Sequence, residues 1–496
     1  MINNDFNYAN LGSKLFSFEE KMFDTLSTIK IGKWNAWRVI KSEVFFSAIY
    51  KGIRKKVENS SAQRSQSNFK LLVSSIKGFY KLLYYFVWRI FKKNVACIVT
   101  LSINKTVKNE DGLWVDVVVD NLIKKAGIKN FIYIEVPDNN GKYLQKAFIK
   151  RSFLSNEFSF FIFSIHKFLE IIGFFQKQAA EIESTWLAYF KCPFPLESKN
   201  TNAVFNKFYG EYFFYKLFFS ITRPALLVVN DQMATGKIAA AKVKGIKTIE
   251  LQHGMMDEYY PQYHLHPNFL AVKISLPLAE KIGVFGQFHK NQLTKKLFYK
   301  EEDVEVIGKY DTTSTLRRIS RFSNNKTIVF VTQGKLLFEQ SKVDLTNLIN
   351  QLNFTNYFLI IKLHPLESEH LVDWYLELVK NKANVRVIKD EFNINQILPV
   401  ADIVLGYNST VLLEAAYHNK VVVTLPDMFC KKGIFTVTGE DEILEGCIDF
   451  HNSIDSFIND LNRFEVRMDN EEVKNYLYDR AYSFNVKKMI NNEFPI

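Results

Sequence analysis

The rhythm of apolar and polar positions changes near Val95. Before it the pattern is helical, broken by the polar run Asn59 to Asn68 (NSSAQRSQSN), which reads as a loop. After it, short β-rich apolar runs alternate with helical patterns, the signature of a parallel α/β architecture. Ala96 to Ser102, Phe131 to Val136, Ala225 to Asn230 and Thr248 to Gln252 read as strands. Between the last two, a helix-like run from Lys237 to Lys244 closed by Gly245 completes a βαβ unit. An aromatic stretch from Phe153 to about Phe219 reads as a helical insertion. A second series follows the basic, polar run Arg317 to Lys326, with strands at Thr327 to Thr332, Tyr357 to Leu363, Val385 to Ile388, Ile403 to Gly406 and Val421 to Leu425. Helical segments separate them, notably Val343 to Leu352, His370 to Asn381 and Thr410 to His418.

The expected layout is a helical basic segment over 1–94 and a Rossmann-like domain over 95–316. A linker over 317–326, a second Rossmann-like domain over 327–452 and C-terminal helices over 453–496 complete it. The fold class is therefore α/β, with two doubly wound domains in series and a helical N-terminal extension.

Composition narrows the choice. The 496 residues are 47% hydrophobic and 23% charged, which excludes a disordered or collagen-like chain. The formal net charge of +12 invites an anionic partner, but its distribution is uneven. Residues 1–100 hold 17 Lys and Arg against 6 Asp and Glu, leaving the rest of the chain nearly balanced. Cys97, Cys192, Cys430 and Cys447 stand far apart with no zinc-like spacing, which fits a reducing, cytoplasmic location. No secretory h-region is visible at the N-terminus, and the most lipid-like stretches are interrupted by charge: Lys77, Lys81 and Arg89 in one, Glu157, Lys167 and Glu170 in the other.

In doubly wound sheets ligands bind beyond the carboxyl ends of the strands, so the residues just after each strand carry the candidate chemistry. His253, in Gln252-His253-Gly254, can exchange a proton near neutral pH, and Asp231, after LLVVN, would face the same crevice. His364 is held extended by Pro365 at the end of YFLIIKL and can donate to a phosphate oxygen. Ser409, in Asn408-Ser409-Thr410, is a helix N-cap whose free backbone N–H groups suit an anion, and Glu414 lies on the same helix face as Thr410. Thr332, Gln333 and Gly334 form the first loop of the second domain, where glycine permits close approach of a phosphate. There is no Gly-x-Gly-x-x-Gly run, no P-loop and no Asp-x-Asp pair at a strand end, so no cofactor and no metal are expected.

Taken in order, QHG at 252–254, VIGKYD at 306–311, KLHP at 362–365 and NSTVLLEA at 408–415 resemble the bacterial surface-polysaccharide glycosyltransferases of the GT-B fold. The likeness is to capsule-polysaccharide transferases and to CDP-glycerol glycerophosphotransferases of teichoic-acid synthesis. It implies two facing domains and transfer from a nucleotide-sugar donor to a glycan or lipid-linked acceptor. His253, or Asp231 in its place, would be the catalytic base, His364, Ser409 and Thr410 would hold the donor phosphate, and Glu414 would bind its ribose. QHG lacks the aromatic residue that precedes His-Gly in the glycerophosphotransferases, which favours a sugar, with CMP-linked sugars among the donors, over glycerol phosphate. The rivals are a sugar-nucleotide epimerase and, outside enzymes, an RNA-binding protein, though no RNP-type strand is present and no nucleic-acid partner is expected.

On a helical wheel for Lys77 to Lys93, Phe79, Leu82, Leu83, Phe86, Val87, Ile90 and Phe91 share a broad apolar face, with Lys77, Lys81 and Lys92 opposite. This suits an in-plane helix on an anionic membrane, making the protein peripheral at the inner face of the cell membrane. The same face would serve equally well to pack on the first α/β domain.

Overall fold

The computed structural model describes residues 8–57, 76, 78–84, 86–88, 91–92, 95–101, 107–108, 114–116, 118–136, 152–230, 235–252, 254–256, 259–295, 298–309, 319–364, 367–427, 432–434, 438–439, 441–465 and 470–493. Three helices, α1 (Tyr8–Lys21), α2 (Phe23–Thr28) and α3 (Ala36–Val57), precede two parallel sheets. The first sheet is built from β1 (Ala96–Leu101), β2 (Phe131–Val136), β3 (Ser152–Leu154), β4 (Leu226–Asn230), β5 (Lys247–Leu251), β6 (Lys281–Val284) and β7 (Val304–Val306). Its connecting helices are α4 (Val119–Ala126), α5 (Asn156–Ile171), α6 (Gln176–Phe190), α7 (Ser198–Thr222), α8 (Thr235–Val243) and α9 (Gln287–Thr294). The second sheet comprises β8 (Lys326–Val331), β9 (Tyr357–Lys362), β10 (Val385–Ile388), β11 (Ile403–Gly406), β12 (Val421–Thr424) and β13 (Asp449–Phe450). It carries α10 (Phe338–Gln351), α11 (Glu369–Val379) and α12 (Thr410–Tyr417), and the chain ends in α13 (Glu471–Leu477) and α14 (Tyr482–Glu493).

The sheets run β3-β2-β1-β4-β5-β6-β7 and β10-β9-β8-β11-β12-β13, every neighbouring pair parallel. Both domains are thus doubly wound, and the strand order reverses at β1/β4 in one and at β8/β11 in the other. Strand residues alternate between two buried layers. Cys97 and Val99 of β1 join the core beneath α7 and α8, while Ala96 and Ile98 join the layer that holds α4 and α14. In β8, Ile328 and Phe330 pack with α10 and α11, and Val329 and Val331 with α12 and α13. Burial on both faces explains why these strands read as nearly unbroken apolar runs.

Several elements depart from the sequence pattern. Phe153 opens the expected helical insertion but lies in β3, a short strand paired to β2, and the helices follow it. Strands β6, β7 and β13 extend the sheets beyond the expected set. Residues 8–57 are built into the first domain: Leu15, Phe18, Trp37 and Ile40 belong to the same core as α7 and α8. There the fully buried Glu19 accepts from Trp37 Nε1 at 2.7 Å and pairs with Lys41 at 2.5 Å, and Lys41 Nζ also donates to the His264 carbonyl. A buried pair of this kind costs desolvation and earns its place by fixing one geometry, here that of the extension on the domain.

The tail crosses back. Helix α13 packs on both α9 and α12, and Val486, Met489 and Ile490 of α14 enter the core beside α4 of the first domain. The backbone at Asp479 accepts this route because Gly308, at φ +82°, presents no side chain to it.

Among the described residues no single helix is long and apolar enough to cross a membrane. Helices α5 and α6 meet that length and composition only as a pair bent by 74°, and their Phe158, Leu169, Ile182 and Trp186 lie in the core.

Candidate functional site

Three loops leave the carboxyl ends of the adjacent strands β9, β8 and β11. They carry His364, Thr332 to Gly334, and Asn408 to Thr410 respectively. Strands lie about 4.8 Å apart, so all three loops open at one point, the reversal of strand order in the second domain.

The Thr332 hydroxyl joins two of them. It accepts from the His364 backbone N–H at 2.9 Å and donates to Glu367 Oε1 at 3.0 Å. Glu367 is buried, and burial raises its carboxyl above the usual range. Tyr375, fully buried beside it, has its phenol pushed up by burial and then by the Glu367 charge. On the other side of the loop Asp344 accepts from Tyr407 Oη at 2.7 Å and from Gln340 Nε2 at 3.0 Å. This buried polar layer fixes the backbone on which the site residues stand.

His364 rests against the loop: a Cβ at Gly334 would lie 3.6 Å from its Nδ1. Gly334 itself has φ +72°, where a side chain is strained. Burial, and secondarily the Lys362 charge, lowers the His364 pKa, so the ring is neutral at pH 7 and offers one N–H donor and one acceptor. Lys362 is brought down to about 8 by burial, and its Nζ donates to the Leu363 carbonyl at 3.2 Å and to that of Lys389. Ser409 caps α12 as expected, its hydroxyl accepting from Val411 N at 3.3 Å. The remaining first-turn N–H groups of this eight-residue helix point toward the same opening with the positive end of its dipole.

Glu414 lies one turn along α12 and pairs with Lys309, which follows β7 of the first domain. The Lys309 ammonium also sits 4.9 Å from the Tyr478 ring and 5.7 Å from that of Phe285. The ion pair engages Oε1 of the carboxylate.

On the facing domain, Asp231 and His253 lie outside the described residues, as does Pro365. The residues that precede the first two lie at the carboxyl ends of neighbouring strands. Asn230 closes β4 fully buried, with neither amide atom hydrogen-bonded among the described residues. Gln252, also fully buried, accepts from Phe285 N at 2.7 Å through Oε1 and donates to the Gly254 carbonyl at 2.8 Å through Nε2. It thereby ties Gly254 to the exit of β6. His289 Nδ1 lies 3.3 Å from the Met256 carbonyl, and burial lowers its pKa to about 4.

Gln252, Lys309, Glu367 and Asn230 thus join the site without having been singled out from the sequence. Gln252 and Lys309 sit inside quoted motifs, QHG and VIGKYD, but only their contacts give them roles. Among the described residues no group of three or more His, Cys, Asp or Glu is arranged to hold a metal ion.

No family model and no curated protein matches the chain. Solved structures do. A UDP-GlcNAc 2-epimerase from Methanocaldococcus jannaschii aligns at 10% identity over 80% of this chain and 99% of its own, with a TM-score of 0.47. The lipopolysaccharide outer core galactosyltransferase WaaB aligns at 13% over 81% and 100%, with a TM-score of 0.45. A glycosyltransferase from Rickettsia africae aligns at 11% over 81% and 95%, with a TM-score of 0.40. At these scores the architecture stands on the strand orders above: two doubly wound domains with a helical N-terminal extension.

Proposed function

We propose that the protein is a glycosyltransferase that moves a sugar from a nucleotide-sugar donor, with CMP-linked sugars among the candidates, to a growing surface polysaccharide or lipid-linked glycan. What supports this most is the convergence of three loops at the β8/β11 reversal, one bearing a neutral, partly buried histidine and one the capped N-terminus of α12. Such a place suits a phosphate, and the His364 N–H and the α12 backbone would stabilise the charge that develops on the departing phosphate. Each well-placed donor is worth about 3 kcal/mol of barrier. Glu414, shared with Lys309, would meet the ribose and couple donor binding to the approach of the two domains. On the acceptor side His253, or Asp231, would take the hydroxyl proton, with Gln252, the residue before His253, held by Gly254 and Phe285. The expected leaving-group chemistry uses protein groups and no divalent ion.

Incubation with CMP-, UDP- and GDP-sugars, with and without a lipid-linked glycan acceptor, tests this by product analysis. Release of free nucleotide coupled to extension of the acceptor is the expected result. Return of an intact, epimerised nucleotide sugar would replace the transferase with the epimerase, and transfer of glycerol phosphate from CDP-glycerol would replace the sugar.

A further inference from the structure

The helical residues 78–84 and 86–88 are mounted with their apolar face outward. Gly78, Lys81, Leu82 and Trp88 form the strip that faces the protein: a Cβ at Gly78 would collide with the Glu157 carbonyl, Lys81 pairs with Glu157 at 2.5 Å, Leu82 packs against the first domain's core, and Trp88 is buried. The opposite strip, Ile76, Tyr80, Leu83 and Val87, recurs at helical spacing, with Phe79 and Phe86 beside it. All six are exposed, Phe79 and Phe86 at 52% each and Tyr80 at 69%. Of the wheel's apolar face, Leu82 packs on the α/β domain while Phe79, Leu83, Phe86, Val87 and Phe91 are exposed.

The exposed surface continues onto α5. Phe161 and Phe168 lie on the strip of that helix that includes Glu157, the Lys81 partner, and both are exposed, as is Ile171 at 82%. Two exposed apolar strips on helices that touch through Lys81 and Glu157 are uncommon on a monomer that meets only water. In the sequence, the stretch from Lys51 to Lys93 that contains this helix holds 11 Lys and Arg and one acidic residue, Glu58.

We infer that this face docks the first domain on an anionic lipid bilayer, the apolar residues entering the headgroup boundary and the flanking cations meeting the lipid charge. Tyrosines at the edge, Tyr80 and Tyr84, suit the same boundary. Charge complementarity selects this occupant, since a protein partner or a second copy of this chain gives no reason for so one-signed a segment beside the apolar strip. The inference is independent of the transferase reading, because binding is read without turnover.

Cosedimentation of the full chain with vesicles of phosphatidylcholine alone, or with 30 mol% phosphatidylglycerol (~30%, enough to set a negative surface potential), tests it. Binding to the anionic vesicles should exceed that to the neutral ones at least tenfold, fall with added salt, and be lost in Phe79→Glu/Phe86→Glu. Both side chains are exposed, and an unchanged melting temperature would show that the variant folds. No preference for anionic vesicles, or equal binding by the variant, would overturn the inference. So would a dimer in solution that the double substitution dissolves without any vesicle binding by the parent chain, or salt-sensitive binding of RNA in place of vesicles.

Discussion

Single side chains decide how the two halves of the site are held. The Gln252 amide is buried with both of its ends used, one on Phe285 N and one on the Gly254 carbonyl. Gln252→Ala leaves two backbone groups to find other partners, which should lower stability by about 1–3 kcal/mol. It should also lower kcat while leaving the KM for donor nearly unchanged, because Gln252 belongs to the acceptor-side domain; steady-state kinetics with a urea titration check both. His289 carries the clearest pH signature. In the unfolded chain it takes up a proton below about 6.5, in the fold only near 4, so between these values the unfolded state binds more protons and stability falls as pH drops. Melting curves from pH 7 to pH 4 should show the loss, up to about 3 kcal/mol for this residue alone, and His289→Gln should flatten it. Much of this scale was hidden in the sequence. Strand-end histidines announce themselves, but the partners of Gln252, Glu367 and Lys309 are distant in the chain and no local pattern points to them.

Elements were more legible, for a physical reason. Strands β8, β9 and β11 are buried on both faces, so their apolar runs are unbroken and end where the loops of the site begin. Of the strands that escape the pattern, β3 and β7 have three residues each at the two edges of the first sheet and β13 has two, while β6, with four, is as long as β10, β11 and β12. Amphipathic spacing also fixed the helix near residue 80 without fixing which way it faces. An apolar stripe records that a surface must be covered, and Lys81 with Glu157 turns the other side inward. Helix α14 shows the converse, since its apolar residues close the first domain from the far end of the chain. Met489 is fully buried there, and Met489→Ala should cost about 2–5 kcal/mol, read as a shift of the denaturation midpoint.

At the scale of the molecule, two doubly wound domains face each other, and among the described residues the tail, Phe285 and Phe288 in the second domain's core, and the ion pair between Lys309 and α12 join them. Lys309 and Glu414 are both largely buried, and the cation also sits over Tyr478. Lys309→Met should destabilise the protein by about 1–3 kcal/mol, since a hydrogen bond to a charged group is lost. It should raise the KM for donor more than it lowers kcat, if Glu414 serves the ribose from this position; a melting curve and donor-saturation kinetics read the two effects separately. The two-domain plan was readable from the two series of strands, and the reversal points followed from it. The crossing of α14 was not, because nothing in its sequence names the domain it covers.

The most direct test of the donor site is titration calorimetry of CMP, UDP and GDP against the wild-type chain, His364→Ala and Ser409→Ala. One nucleotide should bind the wild type, with affinity reduced at least tenfold by His364→Ala and less by Ser409→Ala, while the melting temperatures of the free proteins stay within a few degrees of one another. Binding of that nucleotide at unchanged affinity in His364→Ala, or no binding of any of the three to the wild type, would contradict a donor site at the β8/β11 reversal.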